Sequence, residues 1–159
     1  MTAAVLTISD SAAGGQRADL SGPAVKAALE HDKFRVIAIR VIADEQASIQ
    51  EAILEMASRA QLVVTTGGTG ITERDVTPEA TRAVCSRLVE GVAERMRAVG
   101  AESTPLAALS RAVCGICGNA LVLNLPGSPQ AATESLAAVL NLLPHALDLL
   151  AGTTAHPQH

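Results

Sequence analysis

Short apolar runs alternate along this chain with stretches in which apolar side chains recur at helical spacing. Apolar runs at residues 4–8 and 62–64 predict strands, the first of them buried. Residues 34–42, which alternate less cleanly and are rich in β-branched residues, predict a further strand. Capping residues and helical periodicity predict helices over residues 21–30 and 46–58, and another that begins near residue 78. The alternation predicts an α/β fold, a three-layer sandwich in which a mostly parallel central sheet carries helices on both faces.

The second half of the chain adds a hairpin and a long terminal helix to this pattern. Apolar segments at residues 112–116 and 121–125 flank Gly118 and Asn119, a glycine-first pair suited to a tight turn. A break is predicted at Gly91, a short helical turn at residues 106–110, and a last helix at residues 130–150 that Pro144 kinks without ending. Residues 1–151 are predicted to form a single domain, followed by a disordered tail at 152–159.

Four loops are predicted to meet at one edge of the sheet, because ligands of parallel sheets bind beyond the carboxyl ends of the strands. They cover residues 10–21, 43–46, 66–75 and 126–129. Three of these loops carry aspartates, namely Asp10, Asp19, Asp44 and Asp75. Asp44 is equally typical of a helix cap and Asp19 of a turn. Taken together, Asp44 and Asp75 suit a magnesium–nucleotide site, since Mg²⁺ prefers one or two carboxylates together with phosphates.

The loop after the third strand contains three glycines in four positions, Gly67, Gly68 and Gly70. A strand, a glycine turn and a helix start favour phosphate binding, because glycines let successive N–H groups face one anion. A glycine turn alone is as typical of a structural turn, and this one has neither the ending of a P-loop nor a dinucleotide-binding spacing. Hydroxyls at Thr69 and Thr72 favour the phosphate site.

Composition and charge exclude several classes of function. The net charge is -4 and Phe34 is the one aromatic residue, which argues against a nucleic-acid-binding protein. No signal peptide and no membrane-spanning run are apparent, so a cytoplasmic protein is predicted. Cys114 and Cys117 form a CxxC motif two ligands short of a zinc site, and we expect buried cysteines on opposite faces of a strand.

Five separated motifs carry a resemblance to a known family. They are TISDSAAGG followed by DLSGP, then ADEQ, TTGGTGITERDVTPEAT, LSR and LNLPGSPQA. In this order, from residue 4 to residue 150, they resemble the molybdopterin adenylyltransferase family, the single-domain bacterial enzymes related to the gephyrin G domain.

The resemblance implies an α/β fold, usually as a homotrimer, and a step in molybdenum cofactor biosynthesis. Members transfer AMP from Mg²⁺-bound ATP, the co-substrate, to the terminal phosphate of molybdopterin and release pyrophosphate. A tightly bound redox cofactor is not expected. The molybdenum insertase that acts next is an expected partner.

The resemblance also implies roles for individual residues. Asp44 and Asp75 would bind Mg²⁺ and serve catalysis. The nucleotide would be bound by Gly67, Gly68, Thr69, Gly70, Asp10 and Asp19. Molybdopterin would be bound by Ser110, Arg111, Asn124, Pro126, Gly127 and Ser128.

Three positions depart from the family pattern by lacking a basic side chain, namely Cys117, Asn119 and Gln130. Their loss of positive charge leaves open an alternative, a non-catalytic molybdopterin-binding or scaffold protein. Asp44 and Asp75 favour the enzyme, because a protein that only binds the pterin does not need two metal-capable acids beside a nucleotide loop.

Overall fold

A six-stranded sheet forms the centre of the computed structural model, which describes residues 1–152. Its strands are β1 (Thr2–Ile8), β2 (Arg35–Ile42), β3 (Leu62–Thr66), β4 (Arg87–Leu88), β5 (Cys114–Cys117) and β6 (Ala120–Leu125). They lie in the order β2-β1-β3-β6-β5-β4, and β2, β1, β3 and β6 are parallel to one another. The hairpin formed by β5 and β6, and the pairing of β4 with β5, are antiparallel. The predicted mostly parallel sheet is confirmed.

Helices cover both faces of the sheet. They are α1 (Asp10–Ala13), α2 (Ser21–His31), α3 (Gln46–Ala57), α4 (Thr77–Val84), α5 (Glu90–Ser103), α6 (Pro129–Val139) and α7 (Leu143–Leu150). Two 3-10 turns lie at Pro105–Leu109, as predicted, and at Leu140–Leu142.

Two hydrophobic cores separate the three layers. Buried side chains of α2, α5, α6 and α7 pack on one face of the sheet, and those of α3 and α4 pack on the other. Successive residues of β1 alternate between them: Val5 lies in the first core and Leu6 in the second. Because both faces are covered, the central strands are apolar at nearly every position, as the uninterrupted runs predicted.

The predicted break at Gly91 is wrong, because Gly91 is the second residue of α5. The chain leaves helical structure earlier, between α4 and α5, where Ser86 donates its N–H to the carbonyl of Ile116 at 2.9 Å and Val89 donates to that of Cys114 at 2.8 Å. These bonds create β4, a two-residue strand too short for a sequence pattern to indicate.

The last helix is interrupted rather than kinked. Proline has no N–H to donate, and its ring clashes with the carbonyl four residues earlier. The chain accordingly passes through the 3-10 turn at Leu140–Leu142 and begins a new helix with Pro144 in its first turn, where proline is tolerated. Leu143 and Leu147 of the new helix remain in the core.

The two cysteines of the CxxC motif lie in opposite cores, as predicted. Burial raises the pKa of the Cys114 thiol to about 12, the nearby Cys85 adding to the rise, and burial also raises the pKa of Cys117. Both thiols are therefore protonated at neutral pH and act as core residues.

Within residues 1–152, no helix has both the length and the apolar content needed to cross a membrane. The predicted disordered tail lies, from residue 153 onward, outside the described residues. The single domain over residues 1–151 and the cytoplasmic location stay predictions.

Candidate active site

A cavity of about 400 Å³ opens beyond the carboxyl ends of β1 and β3. The chain passes from β1 to β2 on one side and later places β3 on the other side of β1, so the cavity lies at the switch point of the sheet. All four predicted loops contribute to it. Its polar and glycine lining includes Thr7, Ser9, Arg17, Asp19, Ser21, Asp44, Thr66, Gly67, Gly68, Asp75, Gly127 and Ser128.

The glycine turn is fitted tightly between β1 and α4. Gly67 and Gly68 have φ angles of +103° and +64°, a region that side chains disfavour. A Cβ atom on Gly67 would lie 2.2 Å from the carbonyl oxygen of Ile8, and one on Gly68 would lie 2.3 Å from the Thr77 hydroxyl. Thr77 donates this hydroxyl to the Gly67 carbonyl at 2.9 Å. The turn is thus fixed in one conformation at the cavity wall.

Arg111 holds the glycine loop from the opposite side. Its backbone N–H donates to the Thr69 carbonyl at 2.9 Å, and its guanidinium donates to the carbonyls of Gly70 and Asp75, both at 2.6 Å. The remaining donors bind the carboxylate of Glu79, and this hydrogen bonding lowers the pKa of Glu79. Thr69 and Gly70, predicted to contact the nucleotide, lie outside the lining of the 400 Å³ cavity.

One carboxylate oxygen of Asp75 accepts hydrogen bonds from the protein, and the other is available to a ligand. Its Oδ2 atom accepts hydrogen bonds from the N–H of Thr72 at 2.9 Å and from the Thr72 hydroxyl at 2.7 Å. Within residues 1–152, its Oδ1 atom accepts no hydrogen bond. The Thr72 hydroxyl, which the sequence suggested for phosphate, therefore orients Asp75 instead.

Asp44 is arranged in the same way and does not cap α3. Its Oδ2 atom accepts from the N–H of Asp10 at 2.9 Å, while its Oδ1 atom has no hydrogen-bond donor within residues 1–152 and faces Gly68. The N-cap position of α3 belongs to Glu45. Burial raises the pKa of Asp44, and the negative charges of Asp10 and Asp75 add to the rise, opposed by the N–H of Asp10 and by Arg74.

Asp10 does not line the cavity, although the sequence predicted a nucleotide contact there. Its carboxylate accepts three hydrogen bonds of 2.7 to 3.0 Å from the guanidinium of Arg74 and one of 2.9 Å from the N–H of Asp44. The bond from Asp44 and the guanidinium of Arg74 lower the pKa of Asp10. The sequence reasoning missed Arg74. The one signal for it in the sequence was its position directly before Asp75.

Asp19 lines the cavity, but its oxygens are already occupied. It accepts from the Thr7 hydroxyl at 2.8 Å and from the N–H of Gly22 at 3.0 Å, at the start of α2. A Cβ on Gly22 would lie 2.3 Å from the Asp19 carboxylate, so the absence of a side chain at Gly22 lets the carboxylate approach the backbone. These are the contacts of an aspartate that shapes a turn, which was the alternative interpretation of Asp19 in the sequence.

The cavity lining carries three carboxylates and one guanidinium, that of Arg17. Sequence reasoning missed Arg17 because its side chain follows no motif beyond the Gly14–Gly15 pair. A polyphosphate entering beside Asp19, Asp44 and Asp75 would be repelled unless a cation neutralised part of the charge.

The donor set suits such a cation. Within residues 1–152, no group of three or more His, Cys, Asp or Glu side chains is arranged to hold a metal by itself. Mg²⁺ seldom requires such a cage, because it keeps several waters and binds through one or two carboxylates and substrate phosphates. The available Oδ1 atoms of Asp44 and Asp75 match that requirement.

The predicted molybdopterin residues divide among three places. Gly127 and Ser128 line the 400 Å³ cavity, and the Ser128 hydroxyl caps α6 by accepting from the N–H of Ala131 at 3.1 Å. Ser110 and Arg111 line a second cavity of about 300 Å³, on the side of the glycine loop that Arg111 holds. Pro126 lines a small cavity that adjoins the second one, since Ser110 lines both.

Asn124 lines none of these cavities. The sequence predicted that it contacts molybdopterin, and the burial of its side chain corrects that prediction. The side chain has 0% exposure. Its amide donates to the hydroxyls of Thr65 at 3.0 Å and Thr81 at 2.9 Å, and its Oδ1 atom accepts from the N–H of Val113 at 3.3 Å. Both N–H donors are used, so Asn124 joins β6 to β3 and α4 and has no exposed atom for a ligand.

Comparison with known proteins identifies the family that this chain matches. Residues 4–145 match the family model described as a probable molybdopterin binding domain. The molybdopterin adenylyltransferase of Helicobacter pylori strain J99 is 40% identical over 152 residues, which is 93% of this chain and 86% of that protein. Gephyrin of Dictyostelium discoideum is 38% identical over 157 residues, 92% of this chain but 22% of gephyrin.

The fold is shared with a solved structure of similar length. The crystal structure of the molybdopterin biosynthesis enzyme MoaB from Thermus thermophilus superposes with a TM-score of 0.90 at 47% sequence identity. The match covers 95% of this chain and 96% of that one.

Proposed function

This chain belongs to the molybdopterin adenylyltransferase family, and from that premise we propose that it adenylylates molybdopterin in molybdenum cofactor biosynthesis, with ATP and Mg²⁺. A phosphate oxygen of molybdopterin attacks the α-phosphorus of ATP. The bond from that phosphorus to the oxygen bridging the α- and β-phosphates breaks, and pyrophosphate leaves with the bonding electrons. The products are adenylyl-molybdopterin and pyrophosphate.

One observation carries the metal-dependent part of this proposal. Asp44 and Asp75 each fix one carboxylate oxygen by hydrogen bonds within the protein and leave the other available beside the glycine turn. An ordinary helix cap or turn aspartate would use its oxygens locally, as Asp19 does. Two oriented acids facing the same cavity are what a magnesium–nucleotide complex needs.

Bound Mg²⁺ would neutralise charge on the phosphates and polarise the bond to the leaving group. The protein's own groups would position the nucleotide. Within residues 1–152, the N–H of Gly68 has no protein acceptor, and the turn holds it at the cavity wall. The amino terminus of α6 begins beside Ser128, where its dipole favours a phosphate. Arg17 supplies a cation at the rim.

The molybdopterin side of the reaction is assigned to the second cavity and to the turn at residues 126–128. Ser110 and Arg111 line that cavity together with Arg82, Arg97, Glu90 and Glu94. Three arginines against two glutamates leave a small excess of positive charge for an anionic pterin. Arg111 also binds the carbonyl of Asp75, which places the two cavities on either side of the same loop.

The non-catalytic alternative gains no support from the positions of the three departures. Cys117 is buried in a core, Asn119 lies in the turn between β5 and β6, and Gln130 donates to Glu134 at 2.8 Å. None of the three lines either of the two larger cavities described above. Two of the missing charges therefore lie away from both cavities, and the third, at Gln130, follows Pro129 of the cavity lining with its side chain bound to Glu134.

A homotrimer, a cytoplasmic location and an interaction with the molybdenum insertase complete the proposal. The homotrimer and the insertase partner follow from the family resemblance, and the cytoplasmic location is the one predicted from the sequence. Sedimentation equilibrium of the purified chain would test the trimer without any assumption about its activity.

The proposed reaction can be tested with ATP labelled at the α-phosphate. We expect purified protein, molybdopterin and Mg²⁺ to produce labelled adenylyl-molybdopterin, and EDTA to abolish the product because the phosphates lose their counter-ion. Product is separated by chromatography and identified by mass. Molybdopterin binding without labelled product, under conditions in which a characterised relative is active, would support the scaffold alternative.

A further inference from the structure

A bidentate ion pair joins two loops that are far apart in sequence. The Nε atom of Arg74 donates to Oδ2 of Asp10 at 3.0 Å, and its Nη2 atom donates to Oδ1 and Oδ2 at 2.8 and 2.7 Å. Asp10 follows β1 and Arg74 lies in the loop between β3 and α4. The forked guanidinium fixes the relative orientation of the two loops as well as their separation.

A reciprocal pair of hydrogen bonds continues this connection to a third loop. The N–H of Asp10 donates to the carboxylate of Asp44, and the N–H of Asp44 donates to the carboxylate of Asp10, each at 2.9 Å. The first of these bonds determines which oxygen of Asp44 remains available to the cavity. Asp10 therefore connects Arg74 to the orientation of Asp44.

The other end of the connection is covalent, because Arg74 directly precedes Asp75 in the chain. A continuous path runs from Asp75 through Arg74 and Asp10 to Asp44. The side chains of Arg74 and Asp10 are 63% and 48% exposed, and ion pairs this exposed add little to the stability of a fold. A contribution to the stability of the fold therefore does not explain why this pair has such a closely defined geometry.

We propose, on the basis of the function proposed above, that Asp10 and Arg74 are a positioning pair that sets the separation of the two metal-facing carboxylates, Asp44 and Asp75. Neither residue lines the 400 Å³ cavity. The pair restrains the loops that carry the two available Oδ1 atoms, and its loss lets the loops after β2 and β3 move independently. Metal-ligand positioning by such outer contacts commonly changes metal affinity by about 10- to 100-fold.

Binding of Mn²⁺ measures this positioning without relying on turnover. Electron paramagnetic resonance of free Mn²⁺ is recorded during titration of the full chain saturated with an ATP analogue that has a methylene group between the α- and β-phosphates. We expect R74Q to weaken Mn²⁺ binding by about 10-fold, with the affinity for the metal-free analogue unchanged. R74K should behave like R74Q, because lysine keeps the charge but loses the fork.

A double-mutant cycle and a control variant separate positioning from general damage. D10N should weaken Mn²⁺ binding as R74Q does, and the double variant should be no weaker than the worse single variant, because both break one connection. R40Q is the control: Arg40 binds Glu55 at 2.8 Å through an exposed ion pair on β2 and α3. R40Q should leave Mn²⁺ affinity unchanged.

Three outcomes would overturn the positioning pair. They are wild-type Mn²⁺ affinity in R74Q, wild-type affinity in R74K with a loss in R74Q, and additive losses in the double variant. Thermal melts of each variant check that it is folded. If R74Q melts far below R40Q, the Mn²⁺ affinity of R74K is compared with that of the wild-type protein instead, which tests geometry at constant charge. Failure of the proposed function itself is distinguishable, because then the wild-type protein would not bind the Mn²⁺–nucleotide complex at all.

Discussion

Replacing Asp75 by alanine should lower the rate of adenylyl transfer by about 100- to 1000-fold, the loss typical of removing one preorganised electrostatic contact from an active site. Alanine removes the Oδ1 atom that we assign to Mg²⁺ and also frees the loop segment that Thr72 ties to the carboxylate. The rate is measured with saturating ATP, Mg²⁺ and molybdopterin. A fall in kcat, rather than a rise in KM for molybdopterin, is expected.

The fold should survive this substitution, because Asp75 lies at a cavity wall and its polar partners can bind water. Circular dichroism and thermal melts check that point. D148A is the matched control, since Asp148 is an exposed acid on α7, away from the cavity. Wild-type turnover in D75A would remove Asp75 from the metal site, whatever the effect of D148A.

Replacing Gly67 by alanine should lower the free energy of unfolding by about 3 kcal/mol, because the left-handed backbone and the overpacked side chain both add strain. The new Cβ would lie 2.2 Å from the backbone carbonyl oxygen of Ile8, which cannot rotate away as a side chain could. The turn must shift, and with it the N–H of Gly68. We therefore also expect weaker nucleotide binding in any G67A protein that folds.

Urea denaturation measures the first effect and calorimetric titration with ATP the second. G91A is the matched control: a Cβ on Gly91 would have no atom within 4 Å, and Gly91 lies in helical backbone. That variant should be as stable as wild type or more stable by up to about 1 kcal/mol, because alanine favours the helix. Equal stability of G67A and G91A would contradict the tight fit of the glycine turn.

The order of apolar runs and helical stretches was enough to predict the layers of this fold. Buried parallel strands such as β3 leave an unmistakable apolar run, and the sheet rule then places the loops that follow them at one edge. The pattern failed at β4 and at the junction of α6 and α7. A two-residue strand exists only through pairing with β5. The leucine pattern continues across Pro144 because Leu143 and Leu147 stay in the core, although the helix itself is interrupted there.

The candidate site was predictable where chemistry depends on residue type and position after a strand. Asp44, Asp75 and the glycines Gly67 and Gly68 meet at the cavity because they follow parallel strands. Orientation was not predictable in the same way. Asp10 turns from the cavity toward Arg74 through contacts across 64 residues, and Asn124 turns into the core because Thr65 and Thr81 offer hydroxyls there.

The central claim is that Asp44 and Asp75 share one metal ion beside the glycine turn. It is tested most directly by a crystal structure with Mn²⁺ and the methylene-bridged ATP analogue, in which anomalous scattering locates the manganese. We predict a single peak bound by Oδ1 of Asp44, Oδ1 of Asp75 and the phosphates, with the arginine of the Asp10–Arg74 pair still in place. A nucleotide-filled cavity with no manganese bound to either aspartate would contradict it.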